Sequence, residues 1–153
     1  MNKLSRNLAK FNTLSWPEKR IFLAAMMRLP FVSIGLHHMG LLRFQAWLQR
    51  KPLIVAGKLT REEMMQLGAL INLAARHVPF PATCLTRSLL LCWLLRRKGV
   101  EAQLRIGVRL THGDLEAHAW VEHAGTPIND RQDVSEQYAP FSGVISANSF
   151  SSP

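Results

Sequence analysis

The first half of the chain has the hydrophobic spacing of α-helices. Ser15 and Glu18 form a capping box, which predicts a helix start at this point. The apolar run that follows predicts a helix to Leu29, which Pro30 should end because proline lacks the N–H that a helix interior needs. A second helix is predicted over residues 32–50.

Two more helices are indicated by their end signals. Thr60 begins another capping box and a helix that should reach about Arg76. A further helix is predicted to begin at Thr83 or Cys84 and to run up to Gly99, the expected C-cap.

Beyond this point the apolar residues alternate with polar ones, as in strands with one buried face. Residues 100–110 and 115–122 predict two such strands, joined by a turn at 111–114. Residues 126–130 predict a short third strand beside the second.

The order of these elements predicts a single α+β domain over residues 1–153, a length that suits one modest core. We expect a helical subregion over 1–80, a helix packed on a small antiparallel sheet over 81–141, and a flexible tail over 142–153.

The formal net charge is +9. Such a charge favours acidic partners, although a basic surface without a specific role fits it equally well. Charged residues interrupt the apolar N-terminal half, and a membrane span needs about 20 predominantly apolar residues. We expect no transmembrane helix, no export signal and no nucleic-acid partner.

Cys84 and Cys92 are the two cysteines of the chain. On one helix they would lie about 12 Å apart along the axis, whereas a disulfide needs Cα atoms within about 7 Å. They cannot pair with each other, so at least one is a free thiol, which favours a reducing, cytoplasmic location.

Candidate chemistry comes from Cys84, His118 and Asp130, in that order along the chain. The positive end of a helix dipole favours the thiolate of a cysteine placed there, and the thiolate is the nucleophilic form. A histidine can take the thiol proton and pass it on to a leaving amine, and a carboxylate can orient the imidazole. We expect the helix that begins near Cys84 to pack on the sheet face that His118 shares with Trp120.

Each candidate also has a simpler explanation. Cys84 could be a small buried hydrophobe, His118 a core histidine and Asp130 a turn residue, with Asp133 as the rival orienter. Cys92 is expected in the core. A zinc site formed by Cys84, His118 and Asp130 is chemically conceivable but would need a tetrahedral ligand set. His37 and His38 lack a second ligand pair at a suitable spacing. We expect no metal and no cofactor.

The chain resembles the transglutaminase-like core and, more narrowly, the B2 leader peptidases of lasso peptide biosynthesis. The similarity covers most of the chain. It is carried by the segments Leu14–Lys19, Pro81–Ser88, Leu104–Val108 and Ala117–Glu122, together with Gly125 and Asp130. The resemblance implies a papain-like cysteine protease core with Cys84 as nucleophile, His118 as base and Asp130 as orienting acid.

The resemblance further implies removal of the leader from a ribosomally made precursor peptide. The partners would be that precursor, a separate leader-binding protein and a lasso cyclase. The alternatives are another transglutaminase-like amidase or acyl transferase, and a non-catalytic peptide-binding module of the same fold.

Overall fold

The computed structural model describes residues 13–50 and 58–140. The predicted tail over 142–153 therefore lies outside the described residues. Within them the elements are α1 (Trp16–Gln49), α2 (Arg61–Ala75), α3 (Cys84–Arg97), β1 (Gln103–Thr111), β2 (Asp114–His123), β3 (Thr126–Pro127), α4 (Val134–Gln137) and β4 (Ala139–Pro140).

Helix α1 runs through Pro30, so the prediction that this proline ends the helix is wrong. The break lies at Gly40, whose φ of 72° and ψ of 165° are not helical. Gly35 lies against the ring of Phe44, although nine residues of straight helix would separate the two by about 13 Å. The chain thus turns back on itself at Gly40. Helical backbone continues through Pro30 because Leu29, fully buried beside it, anchors this turn in the core.

The predicted starts of α2 and α3 are confirmed, whereas the C-cap of α3 is Lys98 and the predicted Gly99 is the left-handed residue after it. The Thr60 hydroxyl accepts from the Glu63 N–H at 3.2 Å, and the Glu63 carboxylate accepts from the Thr60 N–H at 2.8 Å. At α3, the Thr83 hydroxyl accepts from the Thr86 N–H at 3.2 Å, so Thr83 is the N-cap and Cys84 the first helical residue.

The sheet is antiparallel at every pairing, with the strand order β3-β2-β1-β4. His112 and Gly113 form the β1–β2 turn with φ of 53° and 91°, as a two-residue hairpin with both central residues left-handed requires. Strand β1 begins at Gln103, later than predicted, and β4 was not predicted at all.

The third strand is shorter than predicted, because its pairing is completed by a side chain. The Ile128 N–H still donates to the Val121 carbonyl at 2.8 Å. One residue later the acceptor is a side chain instead of a backbone carbonyl: Asn129 Oδ1 accepts from the Val121 N–H at 2.8 Å. The backbone is therefore free to leave the sheet before Asp130.

The two faces of the sheet are covered differently. Leu104 and Val121, which are register partners, pack with the leucines of α3 in the hydrophobic core. Trp120 is 1% exposed but lies outside that core cluster. Neighbouring residues of a strand point to opposite faces, so Val121 and Trp120 lie on different faces of the sheet. Helix α3 covers the Val121 face, which is opposite to the face of His118 and Trp120. The predicted packing face was wrong, since the alternation shows which residues share a face but not which face the helix covers.

The Trp120 face is covered by the segment that follows β3. Tyr138 contacts this face from the end of α4, with its ring centroid 6.3 Å from that of Trp120. Gly107 lies beneath both aromatic residues, so the absence of a side chain there permits this close approach.

Large apolar side chains of α1 remain exposed along one stripe. Leu23, Met27, Phe31 and Ile34 recur at helical spacing, and Phe31 is 72% exposed. Among the described elements, α1 has the length and composition of a membrane-crossing helix, a test that buried core helices also pass. The expectation of no transmembrane span stays a prediction.

Gly107→Ala tests the aromatic packing. The new methyl carbon would lie 2.7 Å from Cβ of Tyr138 and 2.9 Å from the Trp120 ring, so we expect a loss of about 1–3 kcal/mol in the free energy of unfolding. The matched variant is Gly68→Ala in α2, whose methyl would meet Asn129 Cβ at 3.1 Å and which gains helix propensity. The free energy of unfolding should fall less in Gly68→Ala than in Gly107→Ala. Urea denaturation measures both, and equal losses would contradict this description of the packing.

Candidate functional site

One cavity, of about 390 Å³, lies where the start of α3, strand β2 and the segment after β3 meet. It is lined by Asn72, Cys84, Arg87, His118, Ala119, Asn129, Asp130 and Arg131. The three residues singled out from the sequence therefore face a common space, although α3 packs on the sheet face opposite His118.

Cys84 is the first residue of α3 and is partly exposed. The N–H groups of the first helical turn have no partners within the helix, and the helix dipole adds a partial positive charge at this end. No disulfide engages its sulfur. The local sequence suffices for this placement, because the Thr83 cap determines where the helix begins.

His118 and Asp130 form a direct hydrogen bond, with 2.6 Å between Nε2 and Oδ2. Their side chains are 22% and 24% exposed. An ionised carboxylate can only accept, so in an ion-pair or neutral-ring form of this contact Nε2 is the donor, and in the neutral ring Nδ1 then keeps its lone pair. Within the part of the chain that the structure describes, no hydrogen bond engages Nδ1. The ring is thus oriented by the carboxylate, while its other nitrogen remains able to accept a proton.

Two aromatic rings flank the His118 imidazole. The Trp120 ring is stacked at 6.2 Å with an interplanar angle of 22°, and the Tyr138 ring lies at 5.0 Å. Trp120 is itself held, because its Nε1–H donates to Glu122 at 2.8 Å and Arg105 donates to the same carboxylate at 3.0 Å. These contacts restrict the imidazole to a narrow range of orientations.

Tyr138 was not recognised in the sequence, which carries no local signal that links it to His118.

Asp130, and not its rival Asp133, contacts the histidine. Oδ1 of Asp130 accepts from the Arg131 N–H at 2.8 Å, which leaves Oδ2 for the imidazole. Asp133 accepts instead from Arg131 at 3.1 Å and from Gln137 at 2.8 Å. The Gln137 amide, followed by other hydrogen bonds and the Arg131 charge, holds the pKa of Asp133 below its usual range.

A buried polar network, which the sequence analysis missed, joins the three elements of the site. The Ser88 hydroxyl, fully buried on α3, donates to the Ala119 carbonyl at 3.0 Å and accepts from Asn129 Nδ2 at 3.0 Å. Asn72 of α2 donates to the Asn129 carbonyl at 3.0 Å. Ser88 lies one helical turn after Cys84, and its partners are the sequence neighbours of His118 and Asp130. Ser88 directly before three leucines, on a helix rich in leucine, was the signal that could have found it.

The remaining candidates lie elsewhere. Cys92 donates its S–H to the Ala102 carbonyl at 3.3 Å, and burial raises the pKa of this thiol. Cys92 is partly buried and packs against the core cluster rather than inside it, and neither cysteine is in a disulfide. The rings of His37 and His38 contact each other at 5.3 Å. Across residues 13–50 and 58–140, no group of three or more His, Cys, Asp or Glu side chains is arranged to hold a metal ion.

Ser88→Ala tests the network. Removal of the hydroxyl leaves the Asn129 amide and the Ala119 carbonyl without a buried partner, so we expect a loss of about 1–3 kcal/mol in the free energy of unfolding. Ser135→Ala, on the exposed side of α4, is the control and should change little. Denaturant titration measures both, and a Ser88→Ala protein as stable as the wild type would refute the role of the network.

Comparison with known proteins agrees with this architecture. No curated protein and no solved structure shows a significant match. A family model described as the transglutaminase-like superfamily matches residues 29–143, most of the chain and all of the cavity lining. The chain is therefore a member of the transglutaminase-like superfamily.

Proposed function

We propose that this protein is a cysteine peptidase in which Cys84 is the nucleophile, His118 the general base and Asp130 the residue that orients the base. One observation carries the proposal. A thiol at the start of a helix faces the same cavity as an imidazole whose Nε2 is bound by a carboxylate and whose Nδ1 has no partner among the described residues. With these roles, the three residues form a catalytic site of the papain-like type.

The reaction follows from these roles. His118 Nδ1 takes the Cys84 proton, and the sulfur attacks a peptide carbonyl to form a tetrahedral oxyanion. Backbone N–H groups in the first turn of α3 supply the nearest helix-terminal donors for this charge. Collapse breaks the C–N bond, and the leaving amine receives the proton from His118. Water, deprotonated by the same imidazole, then hydrolyses the thioester to a carboxylate and the free thiol.

For the substrate we propose the leader region of a lasso peptide precursor. The support is the resemblance of the segments Pro81–Ser88 and Ala117–Glu122 to leader peptidases of that pathway. In this proposal a separate leader-binding protein presents the precursor and a lasso cyclase consumes the released amine, all in the cytoplasm. The exposed α1 stripe of Leu23, Met27, Phe31 and Ile34 is the apolar surface available to the leader-binding partner.

Cys84→Ala tests the nucleophile. We expect the folded variant to lose cleavage completely, because Cys84 is the cysteine among the described residues that line the cavity. The wild type and the variant are each mixed with a lasso precursor peptide and a leader-binding protein, and the product masses are measured. Cys92→Ala is the matched control and should still cleave, since Cys92 packs against the core and does not line the cavity. A folded Cys84→Ala protein that still cleaves would exclude the proposed peptidase mechanism.

Asp130→Asn tests the orienting residue. The amide cannot reproduce a carboxylate that holds the imidazole tautomer and stabilises its charged form, so kcat should fall by about 10²- to 10⁴-fold. Asp133→Asn is the matched control, because Asp133 contacts Arg131 and Gln137 but not His118. Steady-state cleavage of the precursor measures both variants. Greater damage from Asp133→Asn would show that the wrong carboxylate has been assigned.

A further inference from the structure

Arg87 places a cationic side chain in the cavity beside Cys84. The two residues are three apart on α3, so they project from the same side of the helix, and both line the cavity. Two hydrogen bonds hold the guanidinium. Nε donates to the Thr83 carbonyl and Nη1 to Asn72 Oδ1, each at 3.4 Å. The guanidinium is thus held by the N-cap residue of α3 and by Asn72, which also lines the cavity.

The charge of Arg87 has no carboxylate partner among the described residues. Carboxylate oxygens lie within ion-pair distance of Arg105, Arg109 and Arg131. Arg131, which also lines the cavity, is bound by both oxygens of Asp133, at 3.1 and 3.2 Å. Both contacts of Arg87 are to neutral oxygens and lie at the long end of the hydrogen-bond range.

A guanidinium has five N–H donors in a planar fork, and the contacts of Arg87 engage two of its nitrogens. The unused donors belong to a group of fixed shape that matches the two oxygens of a carboxylate. A half-buried arginine without a counter-ion favours an anion that arrives with the substrate. Asn72 acts here as a support, because its Oδ1 holds Arg87 while its Nδ2 donates to the Asn129 carbonyl.

We propose that Arg87 binds a carboxylate of the substrate next to the bond that Cys84 attacks, so that the preferred substrates are peptides with an acidic side chain at this point. This inference deepens the proposed peptidase function and rests on it. Two arginines line the cavity: Arg131 is paired with Asp133, whereas Arg87 has no carboxylate partner among the described residues.

The test compares alkylation of Cys84 by iodoacetate, which carries a carboxylate, with alkylation by iodoacetamide, which is neutral. Both reagents react with the same thiolate, so the ratio of the two rates cancels any change in the reactivity of the sulfur and reports on nearby charge. We expect Arg87→Gln to lower the iodoacetate-to-iodoacetamide ratio by about three- to tenfold. Site-resolved mass spectrometry separates Cys84 from Cys92.

Two further variants make the result specific. Arg87→Lys keeps the charge and should retain most of the wild-type ratio. Arg97→Gln removes one charge from the last turn of the same helix, where Arg97 lies 5.1 Å over the Trp93 ring, and should leave the ratio unchanged. An unchanged ratio in Arg87→Gln, or an equal fall in Arg97→Gln, would overturn the inference. The alkylation ratio needs no peptide cleavage, so its outcome is independent of the Cys84→Ala cleavage test.

Discussion

The arrangement of the site depends on one buried hydroxyl. Ser88 joins α3 to the backbone of β2 through Ala119 and to the segment after β3 through Asn129. The three candidate catalytic residues lie on those same three elements. Inside a core of leucines such bonds are strong when complete and expensive when broken, so the network fixes the relative position of the elements more tightly than apolar packing alone would.

The sheet separates two kinds of environment. Helices α1, α2 and α3 form a hydrophobic core on the face of Leu104 and Val121. The opposite face holds Trp120 and Tyr138 around the His118 imidazole. Because the side chain of Asn129 completes the third strand, the backbone leaves the sheet early and carries Asp130 to the imidazole. The thiol reaches the same cavity from the start of α3, even though the body of that helix lies on the other side of the sheet.

Charge is distributed unevenly around this cavity. Asp130 contacts the imidazole, Asp133 pairs with Arg131, and Arg87, next to Cys84, has no carboxylate partner within residues 13–50 and 58–140. The formal net charge of +9 does not by itself show which positive groups line the cavity.

Local sequence determined the helix starts at Ser15, Thr60 and Thr83, because a capping residue and the few residues after it are enough to satisfy the first N–H groups. Local sequence also determined the β1–β2 hairpin, through the alternation of apolar and polar residues and a turn whose central residues are left-handed. It likewise placed Cys84 at a helix start and His118 within a strand. These features depend on residues a few positions apart.

Only the tertiary structure decided the rest. Pro30 lies within a helix because the buried Leu29 anchors that turn, and α3 covers the sheet face that alternation could not specify. The hydrogen bond of His118 to Asp130 rather than to Asp133, the contact of the Tyr138 ring with His118 and the network at Ser88 all join residues far apart in the chain. No local pattern encodes such contacts, because they form only when separate elements pack together and bring residues from distant parts of the chain within reach of one another.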